Sequence, residues 1–238
     1  MGGGRVVTLD DLVGRARSLA AGGDRAILGI AGSPGAGKST LAEHLLERLG
    51  PAPPPGLAAG GWVAHVPMDG FHLADAELVR LGRRDRKVAP DTFDAAGYAA
   101  LLRRLRADGD ETVYAPSFER DLEQPIAGSL PVAPAARLVV TEGNYLLLAD
   151  GNWALVRPQL TEVWFCELPE AERIRRLVKR HVRFGKEPAF AEAWVHGTDQ
   201  RNADLVAGTR DRADLVVGQE VLDTIGGVSR GSPPTGPR

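Results

Sequence analysis

The chain has 238 residues, a formal net charge of −2 and a single cysteine, Cys166. That length can bury a full core and fits one α/β domain with a mobile appendage. Near-balanced charge gives no reason to expect bulk attraction to nucleic acid or an anionic membrane, and one cysteine excludes an internal disulfide framework or a multi-cysteine metal site. No apolar stretch reaches membrane-spanning length, and the N-terminus lacks the apolar core of a signal peptide, so a cytoplasmic protein is expected.

Along the chain, Thr8 to Ala20 has the spacing of an amphipathic helix, with Thr8 as cap and Leu9, Leu12, Val13, Ala16 and Leu19 on one face. The apolar run Ile27 to Ala31 then leads into GSPGAGKST, Gly32 to Thr40, and a helical pattern carrying Leu41, Leu45, Leu46 and Leu49 leads out. Gly32, Gly37, Lys38 and Ser39 satisfy the phosphate-loop pattern G-x-x-x-x-G-K-[ST]. Glycines let the backbone curl so that successive N–H groups point inward, and the helix N-terminus adds positive partial charge. Lys38 can then reach the β- and γ-phosphates, and the Ser39 hydroxyl can ligate Mg²⁺.

Pro51 to Gly61 is too rich in proline and glycine for a regular element and reads as an exposed connector. Val63 to Pro67 is a short strand, followed at once by MDGFHL. Asp94 to Ala107 is helical in pattern, and Thr112 to Tyr114 is a short strand. Arg137 to Thr141 reads as a buried parallel strand ending in Glu142-Gly143, and Glu162 to Leu168, which holds Cys166 as an inert core thiol, is another. Pro169 to Arg183 is a charged helix, Glu192 to Val195 lies in a further helix, and Asp214 to Val217 is the last strand. Alternating strands and helices predict a doubly wound, mostly parallel sheet covered on both faces. One domain is expected over 1–225, with a disordered tail over 226–238.

Ligands of open parallel sheets collect at the carboxyl ends of the strands. Asp69 and Glu142 both follow strands there, on the same edge as Lys38. One acid in such a place suits a Mg²⁺ site, and a second near a terminal phosphate can accept a proton from an attacking hydroxyl. Arg173, Arg176, Arg180 and Arg183 are spaced 3, 4 and 3, which sets them on one helical stripe. A mobile segment carrying such a stripe can close over a transferring phosphoryl group, so residues 169–198 are expected to form a small helical lid.

In order, GSPGAGKST, MDGFHL, APDTFD (Ala89 to Asp94), VTEGNYLLL, RLVKRHVR and RADLVV span about Ile27 to Val217. This set resembles the P-loop kinase superfamily of uridine kinase, bacterial pantothenate kinase and phosphoribulokinase, and most closely its uridine kinase-like members. The resemblance implies a P-loop NTPase three-layer α/β/α sandwich and an ATP- and Mg²⁺-dependent kinase that phosphorylates an alcohol on a small molecule. It implies Asp69 as general base, with Lys38, Arg176 and Arg180 in the catalytic set. The nucleotide would be held by Gly32, Ser33, Gly35, Ala36, Gly37, Lys38, Ser39, Thr40 and Arg183. Glu142 would act with Ser39 on the metal or on the acceptor region. Asp69, His72, Asp91, Tyr114, Arg120 and Asn144 would line the acceptor site, with Phe118 and Asp121 as further wall residues. No nucleic-acid or membrane partner is implied, and a homodimer is admitted.

The chain departs from the uridine kinase pattern in two places. Val88 stands where an acid grips ribose hydroxyls, and Ala115 to Arg120 replaces an aromatic-and-histidine cluster. Lost polar contacts to a sugar weigh heavily on specificity. Uridine or other nucleoside kinase and pantothenate kinase therefore stand as alternatives. So does a non-kinase P-loop NTPase, a switch or a regulatory ATP-binding protein. Against that last reading, the chain has no guanine-reading N-K-x-D segment and no L-S-G-G-Q-type signature.

Overall fold

A computed structural model describes residues 7–226 of the chain. The first helix, α1 (Leu9–Leu19), starts where the sequence says it should. Thr8 accepts from the Asp11 N–H while the Asp11 carboxylate accepts from the Thr8 N–H, a reciprocal cap. Its Leu12, Val13 and Ala16 are buried.

Five strands form one parallel sheet in the order β2-β5-β1-β6-β7. These are β1 (Ala26–Gly32), β2 (Val63–His65), β5 (Leu138–Gly143), β6 (Glu162–Cys166) and β7 (Leu215–Val217). Every residue of β1 and β5 is buried, as expected of central strands covered on both faces. The two faces feed separate cores. Ile27, Ala31, Val139, Val163 and Phe165 pack beneath α4 (Ala95–Arg106), whereas Leu28, Ile30, Val140 and Trp164 pack with α1, α2 (Lys38–Leu49) and α8 (Gln219–Gly226). Asp94 caps α4 by accepting from the Gly97 N–H at 2.8 Å.

An antiparallel hairpin, β3 (Val113–Glu119) with β4 (Gln124–Val132), stands apart from this sheet. Here the sequence reading needs correction, because the strand expected over Thr112 to Tyr114 is longer and its partner was not anticipated. β4 carries Pro125, Gly128 and Pro131 and is mostly exposed, so it shows no period-two apolar signal. Proline is tolerated because each strand of a two-stranded ribbon has a free edge. The hairpin shifts register between Ala115 and Ser117 and packs on the 3₁₀ turn Met68–Phe71.

After β6 come α5 (Glu170–Arg183), α6 (Pro188–Trp194), a π-helical turn (Val195–Asp199) and α7 (Gln200–Ala207). The short helix α3 (Asp75–Arg80) leads from the Met68–Phe71 turn toward the segment around Val88. Of the tail expected over 226–238, residues 227–238 lie outside the described residues. Among the described residues no helix is long and apolar enough to cross a membrane.

Candidate active site

Three chain segments converge at the carboxyl edge of the sheet. β1 runs out at Gly32 into the glycine-rich loop, where Gly35 and Gly37 take φ of 82° and 91°, values that side chains resist. Gly37 caps α2, which makes Lys38 and Ser39 its first two residues. The β1–β5 register pairs Ile30 with Glu142 and Ala31 with Gly143, carrying Glu142 to the start of α2. There Ser39 Oγ donates to Glu142 Oε1 at 3.0 Å. Lys38 Nζ donates to Asn144 Oδ1 at 2.7 Å and to the Ser33 carbonyl at 3.1 Å.

Lys38 and Glu142 are only 8% and 6% exposed. Burial lowers the Lys38 ammonium from its ordinary value, against the pull of Glu142. Burial and the nearby Asp69 charge push the Glu142 carboxyl up to about 7, with Lys38, Ser39 and Arg120 opposing. Cys166, fully buried beneath the loop, is pushed up to about 12 by burial and is inert as a thiol.

Asp69 lies on the Met68–Phe71 turn after β2. Its neighbour Gly70 has no room for a side chain, since a Cβ there would stand 2.2 Å from the Pro116 carbonyl oxygen. The hairpin backbone therefore rests directly on the turn, and Arg120, just past β3, reaches Asp69 with Nη2 to Oδ2 at 3.6 Å. Beneath the turn, Tyr98 OH donates to Thr141 Oγ1, which donates to the Val66 carbonyl, both at 2.5 Å.

The arginines of α5 sit in different surroundings. Arg173 is buried, donating to the Pro34 carbonyl at 3.5 Å and to Gln200, and with Leu177 it packs the helix against Gly35. Arg176 is tied to Glu172 at 2.6 Å and to Asp223 at 2.8 Å. Arg180 has no hydrogen bond or ion pair through its side chain among the described residues. Surrounding protein and Arg120 lower its guanidinium from the ordinary value, while Asp199, Asp69 and Glu142 oppose. Arg183 is exposed and likewise makes no side-chain contact of that kind among the described residues.

The remaining expected residues divide. His72 Nδ1 lies 2.7 Å from the Asp69 carbonyl, its ring sits between Phe93 and Phe118, and its buried Nε2 has no partner among the described residues. Asp91 is taken up by Arg86 at 2.6 Å and Arg83 at 3.4 Å. Tyr114 stands exposed on β3 opposite Pro131, and Asp121 is also exposed. Ala36 is buried, Thr40 is half-buried, and Ser33 Oγ donates to the Ala203 carbonyl at 3.2 Å. A cavity of about 170 Å³ lies behind the loop, its wall mixing Glu167, Glu170 and Asp204 with Arg173 and Arg210.

Sequence reasoning missed a polar network next to this cluster. Val88 has φ of 81°, a strained value for a β-branched residue, and its carbonyl accepts from Tyr145 OH at 2.6 Å and from Asn202 Nδ2 at 3.4 Å. Asp199, buried on the π-helical turn, accepts from His181 Nε2 at 2.8 Å. The available signal was an acid and an amide three apart, Asp199 and Asn202, beside apolar Ala203 and Val206.

No family model matches the chain. The "Putative uridine kinase C227.14" of Schizosaccharomyces pombe is 36% identical over 231 residues, covering 92% of this chain and 94% of that protein. The "Uncharacterized protein YggC" of Escherichia coli is 33% identical over 196 residues, covering 81% and 77%. A solved structure described as a "putative fructose transport system kinase" from Silicibacter sp. TM1040 superposes with a TM-score of 0.78 at 34% identity, covering 89% of this chain and 99% of that one.

Proposed function

Because this chain belongs to the uridine kinase-like family of P-loop kinases, we propose that it moves the terminal phosphoryl group of ATP to a hydroxyl of a small metabolite. The observation that carries this is the alternation of charge at one sheet edge. Lys38, Arg120 and Arg180 surround two acids, Asp69 and Glu142, beside the glycine loop. Three cations against two carboxylates leave net positive charge for a polyanion, and one carboxylate is free of direct contact with α2.

The loop N–H groups and Lys38 hold the phosphates. The acceptor hydroxyl oxygen attacks the γ-phosphorus in line, the bond to the bridging oxygen breaks, and ADP leaves with that electron pair. Asp69 takes the hydroxyl proton. Arg180 stabilises charge on the moving group, and residues 169–198 serve as the lid that excludes water. Ser39 and Glu142, two oxygen donors 3.0 Å apart at the helix start, fit the magnesium ion that accompanies such nucleotides. When bound, that ion supplies charge neutralisation of the phosphates. Most of the catalysis is then positioning and electrostatics.

The test is ADP formation from ATP across nucleosides, pantothenate, sugars, polyols and their acidic derivatives. Stimulation by at least one alcohol, with the phosphorylated product recovered, is expected. Basal hydrolysis that no acceptor changes would leave the chain a regulatory ATP-binding protein.

A further inference from the structure

The position of Arg120 bears on which alcohol is accepted. It comes from the hairpin, just past β3, and it pairs with Asp69 at 3.6 Å, longer than a direct hydrogen bond. About half of its side chain is exposed. Asp69 is thus covered by a cation on the side from which an acceptor must come. Arg180 is exposed, without a side-chain hydrogen bond or ion pair among the described residues, and it lies near enough to Arg120 and Asp69 for their charges to act on it. Both arginines are solvent-exposed, and an anion between them would relieve their like charge. With Arg180 assigned to the transferring phosphoryl group, Arg120 would be left without a ligand once an alcohol occupies Asp69. A neutral nucleoside or polyol would strip Arg120 of its carboxylate and return nothing.

Resting on the kinase reading above, we propose that the acceptor is an alcohol bearing its own phosphate or carboxylate group, and that Arg120 leaves Asp69 to bind that group. The exchange has two results. The anion gains a charge-assisted, two-pronged contact, of the kind guanidinium makes with either oxyanion. Asp69 loses its cationic cover and becomes free to accept the hydroxyl proton as the P–O bond forms. Until an anionic alcohol arrives, Arg120 keeps the carboxylate occupied and restrains attack by water. Arg120 is in this view the specificity-determining residue of the acceptor side.

The experiment uses the full chain, wild type, Arg120→Gln and Arg120→Lys, in two arms. In the first, ADP formation is followed with matched acceptors: hydroxylated phosphomonoesters, hydroxycarboxylates, and their neutral parent alcohols. An anionic acceptor is expected to exceed its neutral parent in kcat/KM by at least about tenfold, with Arg120→Gln removing that preference mainly through KM and Arg120→Lys restoring part of it. The two anionic series tell phosphate from carboxylate. In the second arm, inorganic sulfate is titrated by calorimetry into protein saturated with a non-hydrolysable ATP analogue. Saturable binding is expected in the wild type and its loss in Arg120→Gln, each measured at a concentration of analogue that saturates that protein. Neutral alcohols used as well as anionic ones, or sulfate binding that ignores Arg120→Gln or is absent in the wild type, would overturn the inference and leave the kinase reading standing. Turnover with no acceptor of any class would instead remove the kinase reading, while the sulfate arm still decides for or against an anion site at Arg120.

Discussion

Lys38 and Asp69 lie in one cleft but should fail differently when changed. Lys38 is buried and held by two hydrogen bonds, to Asn144 and the Ser33 carbonyl, which leaves one of its three donors free. Lys38→Ala removes a phosphate contact and leaves Glu142 buried without its cationic neighbour, so turnover should be abolished and nucleotide affinity should weaken together. Asp69→Asn keeps the shape of its turn and removes the proton acceptor together with the charge that pairs with Arg120. Its kcat should drop by about 10²-fold or more while nucleotide Kd stays within a few-fold of the wild type. Rapid-quench turnover and titration with a fluorescent ATP analogue would separate the two. If Asp69→Asn loses nucleotide binding and retains kcat, Asp69 is a nucleotide or metal residue. At this scale the sequence was most legible where the motif itself dictates geometry, as with Lys38, Ser39 and Glu142. It was least legible for Tyr114 and Asp91, because a residue name does not tell which side of a ribbon it faces or which arginine will claim it.

Among the elements, the periodic ones could be read from the sequence to within a residue or two. The helices α1 and α4 and the all-buried strands β1 and β5 announce themselves by spacing, and α1 also by its cap Thr8. β4 did not, since its prolines and exposed positions carry no alternation. Nor did the division of labour on α5, where Arg173 is buried against the loop and Arg180 is not, because a helical stripe is wider than any one contact. Arg25 was also silent in sequence. It is buried just before β1, donating to the carbonyls of Ala136 at 2.7 Å, Leu105 at 3.1 Å and Pro134 at 3.1 Å, and it pairs with Asp108 at 3.0 Å. It ties the end of α4 and the loop before β5 to the start of β1. Arg25→Met would strand those acceptors and should cost about 3–5 kcal/mol, read as a fall in the urea midpoint without a change in slope. A shift within 1 kcal/mol would mean that water replaces the guanidinium.

For the molecule as a whole, stability should follow pH through two buried groups of opposite sign. His65 on β2 has a buried Nε2 without a partner, and burial lowers its imidazole from 6.5 to about 4. Between those values the unfolded chain binds a proton that the folded chain refuses, so stability is lost as pH falls from about 6.5 to about 4. Glu142 works in reverse. Its carboxyl is raised from 4.5 to about 7, so the folded chain keeps a proton the unfolded one has shed, and stability declines as pH rises across that window. His65→Leu should therefore stabilise more at pH 5 than at pH 7, by about 2 kcal/mol. Urea melts of variant and wild type at both pH values would check this, and an equal difference at the two would rule His65 out as the source.

The seat of the hairpin on the Asp69 turn also bears on how such a protein diversifies. Val113 and Val132 are cross-strand partners, so the ribbon leaves and rejoins the chain at adjacent points. It lies outside the five-stranded sheet, and it meets the turn where Gly70 lies against Pro116. A segment with neighbouring ends, anchored in the core by Val113, Ala115 and Val132, can be exchanged as a cassette where those anchors are kept. In this chain that cassette carries Arg120, while the loop, Lys38, Ser39 and Glu142 belong to the sheet. Acceptor choice and phosphate handling are thereby heritable separately, and a transplanted ribbon should change which molecule is phosphorylated without touching what does the phosphorylating.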